Sequence, residues 1–174
     1  MTFIYQHGLA VMRAQPFHIG HQRLVSEMLA KCVEVTLLLG SVQECGTPRN
    51  PFDFITRKQM ILNCCQSPKL HVLGLTDIYN PMKWADYVLE QVALQLPELP
   101  KPDVYFAGSD YDAHWFEGKI GHIELVDRNN PKMPFVSATM VRDMLKYGDK
   151  RWKNFVPAEN IKLIEEVFDA KIMG

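Results

Sequence analysis

The sequence has no apolar run approaching the roughly 20 residues needed to cross a bilayer, so a membrane-spanning protein is not expected. Its first residues, Met1-Thr2-Phe3-Ile4-Tyr5, lack a basic region followed by an apolar stretch. No signal peptide is read there, and the cytoplasm is the expected compartment. Cysteine is scarce: Cys32, Cys45, Cys64 and Cys65 are the full set, none spaced C-x-x-C. Adjacent Cys64-Cys65 makes a poor zinc clip, so the thiols read as idle in a reducing compartment. An excess of positive charge is missing too. A net charge of −1 argues against a general nucleic-acid binder, while leaving room for a local basic pocket for a small anion. Neither G-x-x-x-x-G-K-[ST] nor G-x-G-x-x-G occurs, which excludes a P-loop and a dinucleotide fingerprint. There is no repeat, low-complexity tract or Ser/Gly-rich linker. A chain of 174 residues, 47% hydrophobic, reads as one domain over residues 1–174, large enough to need no disulfide or metal for its core.

What is present alternates between two periodicities. Gly8 to Arg13 reads as a short apolar strand, and Gly20 to Cys32 as a helix with Leu24, Val25, Met28 and Leu29 on one stripe. Val33 to Leu39 (V-E-V-T-L-L-L) is β-branched and apolar, as a buried strand should be. Gly46, Pro48 and Pro51 mark a loop from Gly40 to Pro51. Helices are then expected over Phe54 to Cys65, Lys83 to Leu96, Ser137 to Tyr147 and Ala158 to Ala170. Strands are expected at Leu70 to Leu75, Val104 to Ala107 and Ile123 to Val126. Such alternation predicts an α/β fold: a Rossmann-like parallel sheet with helices on both faces. Ligands of these folds bind beyond the strands' carboxyl ends. The segments there are Gln15 to His21, Gly40 to Pro51, Thr76 to Trp84, Gly108 to Trp115 and Arg128 to Thr139, and they hold most of the unusual polar residues.

The first motif is Arg13-Ala14-Gln15-Pro16-Phe17-His18-Ile19-Gly20-His21, running from a strand end into a helix start. His18 and His21, three apart, share a face of a first helical turn. Free N–H groups and the positive dipole end suit a phosphate there, and Gly20 would let it approach the backbone. Two imidazoles can donate to oxygens that gain charge during transfer. A bare surface pair or a metal fragment is the alternative, but no third ligand stands at a telling distance, and no residue is expected to ligate a metal directly. The second motif is Val136-Ser137-Ala138-Thr139-Met140-Val141-Arg142, where Ser137 is a natural N-cap and Arg142 could reach back to a polyphosphate. Alone it would be a capped amphipathic helix; beside the first motif it becomes specific. Trp84 follows the turn Tyr79-Asn80-Pro81, where it could belong to the core or stack on a flat base; stacking is the favoured reading. Arg49 and Asn50 either meet an acceptor's phosphate or are solvated. Trp115 reads as packing.

H-x-G-H near the start and S-x-T-x-x-R near the end resemble the nucleotidyltransferase superfamily. The chain is most similar to the nicotinamide mononucleotide (NMN) adenylyltransferases of the archaeal type and to the related domain that some bacteria fuse to a Nudix hydrolase. The likeness runs from about Gly8 to Pro157 and includes Gly40-Ser41-Val42-Gln43, Asn50-Pro51-Phe52 with Arg57 after it, Asp77 to Trp84, and Gly108-Ser109-Asp110-Tyr111-Asp112. Met12 stands where the family usually has glycine, and Ala14 where it has a larger residue. The resemblance implies a Rossmann-like fold, ATP and NMN as substrates, Mg²⁺ as cofactor and a homo-oligomer, with no nucleic-acid or membrane partner. It implies transfer of AMP to the 5′-phosphate of NMN, giving NAD and pyrophosphate by direct in-line attack. His18, His21 and Arg142 would be catalytic. Arg13, Gln15, Phe17, Gly20, Gly108, Asp110, Ser137 and Thr139 would bind ATP; Trp84, Arg49, Asn50 and Asn80 would bind the acceptor. A cationic nicotinamide over the indole would favour NMN over nicotinate mononucleotide. Other readings are the same chemistry on nicotinate mononucleotide or phosphopantetheine, and a nucleotide sensor without turnover. Class I aminoacyl-tRNA synthetases share H-I-G-H, and Lys132-Met133 faintly echoes their second motif, but the chain is short for one and is not basic.

Overall fold

The computed structural model describes residues 3–126 and 134–172, with side chains described up to residue 168. Five strands form one sheet: β1 (Tyr5–Met12), β2 (Cys32–Leu39), β3 (Leu70–Gly74), β4 (Val104–Ala107) and β5 (His122–Leu125). Every pairing is parallel, in the order β3-β2-β1-β4-β5. The helices between them are α1 (Ile19–Lys31), α2 (Phe54–Cys64), α3 (Trp84–Gln95) and α4 (Asp110–His114), followed by α5 (Ala138–Lys146) and α6 (Ile161–Ile172).

Alternation along the buried strands sorts the core onto two faces. In β2, Leu37 and Leu39 join α1, α2, α5 and α6 through Val25, Met28, Met60, Val141 and Ile164. Leu38 turns the other way, towards Val88 and Val92 of α3 and Phe116 after α4. β4 splits likewise, Phe106 on the first face and Tyr105 on the second. Of the stripe read from sequence, Val25 and Met28 are fully buried and Leu24 and Leu29 partly so, and Trp115 packs on the second cluster.

Two differences from the sequence reading have physical causes. β1 begins at Tyr5, three residues before the expected start, because polar His7 is fully buried inside it. Its Nδ1 lies 2.6 Å from the carbonyl of Pro100 and its Nε2 2.8 Å from Thr36 Oγ1, so the ring is satisfied without water. α4, five residues long, was not read at all. Ser109 caps it, its side chain accepting from Asp112 N–H. The helices expected from Lys83 and Ala158 start with 3₁₀ turns, Pro81–Lys83 and Ala158–Asn160.

Strand order reverses direction at β1, which has β2 on one side and β4 on the other. The β1–β4 ladder pairs Gly8 with Val104 and Leu9 with Tyr105, while β1 itself runs on to Met12. This is the switch point at which open α/β sheets leave a crevice for ligand. Among the described residues, no helix is long and apolar enough to cross a membrane.

Burial holds the His7 imidazole below its ordinary value near 6.5; His71 opposes its charging too, while the Pro100 carbonyl, Glu34 and Asp103 favour it. The unfolded chain therefore binds this proton more readily than the folded one. Stability should be full above pH 6.5 and fall as the pH drops below it. Equilibrium urea unfolding between pH 5 and 8 should show that slope. In His7→Leu, lower stability at pH 8 but a flatter slope is expected; an unchanged slope would refute the assignment.

Candidate active site

At the carboxyl end of β1 the chain makes a tight loop before α1. Ala14 adopts a left-handed φ of 51°, a strained conformation for a residue with a Cβ, and Gln15-Pro16 is a cis peptide. Two side chains hold this loop. Gln15 is 1% exposed; its amide donates to Phe52 O at 2.7 Å and accepts from Phe52 N–H at 2.9 Å. The fully buried Arg57 of α2 donates through Nη1 to the carbonyls of Arg13 (2.7 Å) and Gly40 (2.8 Å). The loops after β1 and β2 are thus fastened to each other.

His18 is the N-cap of α1, and the cap is reciprocal. His21 N–H donates to His18 Nδ1 at 3.3 Å, and His18 N–H donates to His21 Nδ1 at 3.4 Å. The rings stack with centroids 3.6 Å apart and planes 16° from parallel. An accepting Nδ1 carries no proton, so each neutral ring has its proton on Nε2. The pair therefore satisfies two helix-end N–H groups with one nitrogen each, and Nε2 carries the proton of each neutral ring. Gly20 serves this pairing: a Cβ there would stand 3.1 Å from the His18 ring and 3.2 Å from Val136 Cγ1.

Arg142 of α5 reaches back across the crevice. Its Nη1 donates to the carbonyl of Gln15 at 2.7 Å and its Nη2 to Thr139 Oγ1 at 3.1 Å. Ser137 caps α5, its Oγ accepting from Met140 N–H at 3.1 Å. Burial lowers the pKa of Arg142, as do the charges of Arg13 and Arg49; Arg13 is lowered by burial and by Arg49. Arg49 thus acts on both Arg13 and Arg142, and Arg13 on Arg142, so the three guanidiniums gather positive charge that suits an anion.

Beside them opens a cavity of about 580 Å³, and Arg13, Arg49, Asn50 and Trp84 all line it. Trp84 both lines the cavity and packs on the second core cluster, so the two readings of it coexist. Asn80 is exposed and not among the lining residues. Of the other lining residues, four carry polar side chains that the sequence reading did not assign to the site: Ser41, Glu44, Asp77 and Tyr79. Asp77 accepts from Ser41 N–H (3.0 Å) and Oγ–H (2.6 Å), joining the loops after β2 and β3. Loop-to-loop bonds of this kind leave no local sequence signal.

Some expected ATP contacts have other work. Phe17 is fully buried in the core and stacks on His21 at 5.6 Å, so it supports the ring and cannot touch a nucleotide. The Gln15 amide is spent on Phe52, leaving its carbonyl to Arg142. Gly108 donates its N–H to Asp112 Oδ2 at 3.1 Å, so that group is already used. Asp112 also accepts from Tyr105 Oη at 2.9 Å, and burial holds that hydroxyl's pKa well above its usual range. Asp110 is exposed at the first turn of α4. Lys132-Met133 and the start of the Arg128–Thr139 segment lie outside the described residues. Among the described residues no group of three or more His, Cys, Asp or Glu is placed to hold a metal ion.

Comparisons with known proteins agree with this geometry. Residues 10–144 match the cytidylyltransferase-like family. The chain is 30% identical over 165 residues to the nicotinamide-nucleotide adenylyltransferase of Thermococcus kodakarensis, covering 92% of this chain and 82% of that one. It is 28% identical to the enzyme of that name from Saccharolobus solfataricus, covering 92% and 90%. Among solved structures, a bifunctional NMN adenylyltransferase/ADP ribose pyrophosphatase from Francisella tularensis, complexed with AMP and a manganese ion, superposes with a TM-score of 0.74 at 24% identity. That match covers 97% of this chain but only 52% of the other, so the chain spans about half that protein's length. Likeness this broad in sequence, on a sheet of this order, means that the chain belongs to the cytidylyltransferase-like family, among the archaeal nicotinamide-nucleotide adenylyltransferases.

Proposed function

We propose that this chain, acting as a single domain, transfers AMP from ATP to the 5′-phosphate of NMN, giving NAD and pyrophosphate. The observation that carries the reading is the reciprocal cap of His18 and His21, opposite Arg142 at the β1/β4 switch point. The names of the archaeal relatives supply the acceptor. An oxygen of the NMN phosphate forms the new bond to the α-phosphorus, and the bond from that phosphorus to the bridging oxygen of pyrophosphate breaks. The attacking phosphate is already anionic at pH 7, so no general base is required. The protein's part is positioning and charge stabilisation. Nε2–H of His18 and His21 donates to α-phosphate oxygens as their charge grows. Arg142 and Arg13 balance the leaving pyrophosphate, and Arg49 takes the acceptor's phosphate. A divalent ion, for which Mg²⁺ is our choice, would neutralise the β- and γ-phosphates. Among the described residues no cluster is placed to cage it, and such an ion would be held chiefly through the phosphates themselves. Cytoplasmic location and a homo-oligomer complete the reading.

The direct test is purified protein with ATP, Mg²⁺ and NMN, following pyrophosphate release and NAD formation; no NAD would sink the proposal. Within it, His21→Ala should lower kcat by about 10²–10³, the usual cost of one charge-stabilising donor, with thermal unfolding little changed. Near-normal turnover in a folded variant would remove His21 from the chemistry. Arg142→Ala should raise KM for ATP more than KM for NMN, since a guanidinium suits a polyphosphate; the opposite order in substrate titrations would mean the two subsites are reversed. Trp84→Ala should raise KM for NMN by roughly tenfold, about 1.4 kcal/mol, with little change for ATP. Early melting and parallel loss of both substrates would instead assign Trp84 to packing alone.

A further inference from the structure

The cavity carries more negative charge than binding a phosphate ester requires. Its lining includes two guanidiniums, Arg13 and Arg49, and two carboxyl groups, Glu44 and Asp77. Both carboxylates are held in place by neutral partners. Asp77 accepts from Ser41, and Glu44 Oε2 accepts from Asn50 Nδ2 at 2.6 Å. That last bond fixes the Asn50 amide: with Nδ2 committed, Oδ1 is the atom left over. Asn50 is 1% exposed and its Oδ1 has no hydrogen-bond partner in the structure. Glu44 and Asp77 thus bring two carboxylates to a cavity that Asn50 and the indole of Trp84 also line, while Asn50 Oδ1 itself is enclosed.

We infer that Glu44, Asp77 and Asn50 set the choice of acceptor, admitting a cationic pyridine ring with an amide donor and rejecting one with a second carboxylate. The inference rests on the reading above that this cavity holds the acceptor nucleotide. Nicotinamide brings a positive ring and two N–H donors to a wall of acceptors. Nicotinate replaces those donors with an anion that has nothing to donate. Like charges brought together in a half-buried pocket are costly, and a site built to receive a donor discriminates strongly against an analogue lacking it. The two arginines remain for the phosphate of this zwitterionic ligand.

The test compares kcat/KM for NMN and nicotinate mononucleotide in the wild type, Glu44→Gln, Asp77→Asn and the double variant. Each substitution removes a charge and keeps an oxygen for its partner, Asn50 or Ser41. The wild type should favour NMN. Each single variant should narrow that preference by about tenfold, chiefly through a lower KM for nicotinate mononucleotide, with KM for ATP unchanged. A preference that stays constant while both acceptors weaken together would overturn the inference and leave the carboxylates as scaffolding. If Asp77→Asn melts early because the Ser41 loop loosens, Glu44→Gln alone decides between those outcomes. A wild type that forms no dinucleotide from either acceptor would overturn the proposed function first, and this inference with it, before any variant is compared.

Discussion

The site depends on one buried cation. Arg57 sits with no exposure in the first turns of α2 and gives Nη1 to two carbonyls from separate loops, Arg13 O and Gly40 O. Hydrogen bonds to charged groups contribute about 1.5–3 kcal/mol each, enough to hold a strained loop in place. Ala14 lies next to Arg13 at φ 51° and Ser41 next to Gly40 at φ 54°, so both left-handed residues adjoin the carbonyls that Arg57 grips. Burial lowers the pKa of that guanidinium, as the charge of Arg13 also does, while Asp53 and Asp77 oppose the shift. Its Nη2 is buried without a partner. The cost of enclosing this charge is offset by loop geometry: the two carbonyl bonds tie Arg13 to Gly40 just beyond the last backbone bond between the strands, Gly40 N–H to Met12 O at 3.0 Å.

The phosphate site then follows from placement more than from special residues. Strand β1 ends at the switch point; the Arg57 and Gln15 clamps set the loop; the loop presents His18 as the cap of α1. Arg142 closes the arrangement from 127 positions away by bonding Gln15 O. Arg13 and Arg142 carry positive charge into a partly desolvated space beside the charge of Arg49. That field would suit a polyphosphate, and Glu44 and Asp77, which line the same cavity, favour the charge of Arg13.

Much of this was legible in the sequence because its signals are local. The run V-E-V-T-L-L-L announced β2, and Ser137 announced the start of α5, since strand alternation and N-capping need only a few adjacent residues. The sequence Ser109-Asp110-Tyr111-Asp112 also carries the S-x-x-D capping signature and could have revealed α4, which was too short for periodicity to find. What stayed hidden is long-range. A motif tells which residues a loop contains and not which way they face, so Phe17 and Gln15 were assigned to ATP although one is core and the other a clamp. Asp77, Glu44 and Ser41 gain their meaning only when three loops converge at the sheet's edge. Nothing near His7 in sequence announces Pro100 O and Thr36 as its partners, so the first residues of β1 carry no local signal.

The reciprocal cap of His18 and His21 has a consequence for how this motif can drift. Each ring must be an acceptor towards the helix end and a donor towards the crevice, from two different atoms. A carboxylate satisfies the first demand and has nothing for the second; an ammonium does the reverse. Apart from imidazole, only the amides of asparagine and glutamine divide the two roles between separate neutral atoms, and only asparagine has a length suited to an N-cap. On the proposed function, helix initiation and charge stabilisation therefore draw on the same few atoms. A lineage that abandoned the chemistry would be free to replace histidine with serine or aspartate and still start α1 in the same place.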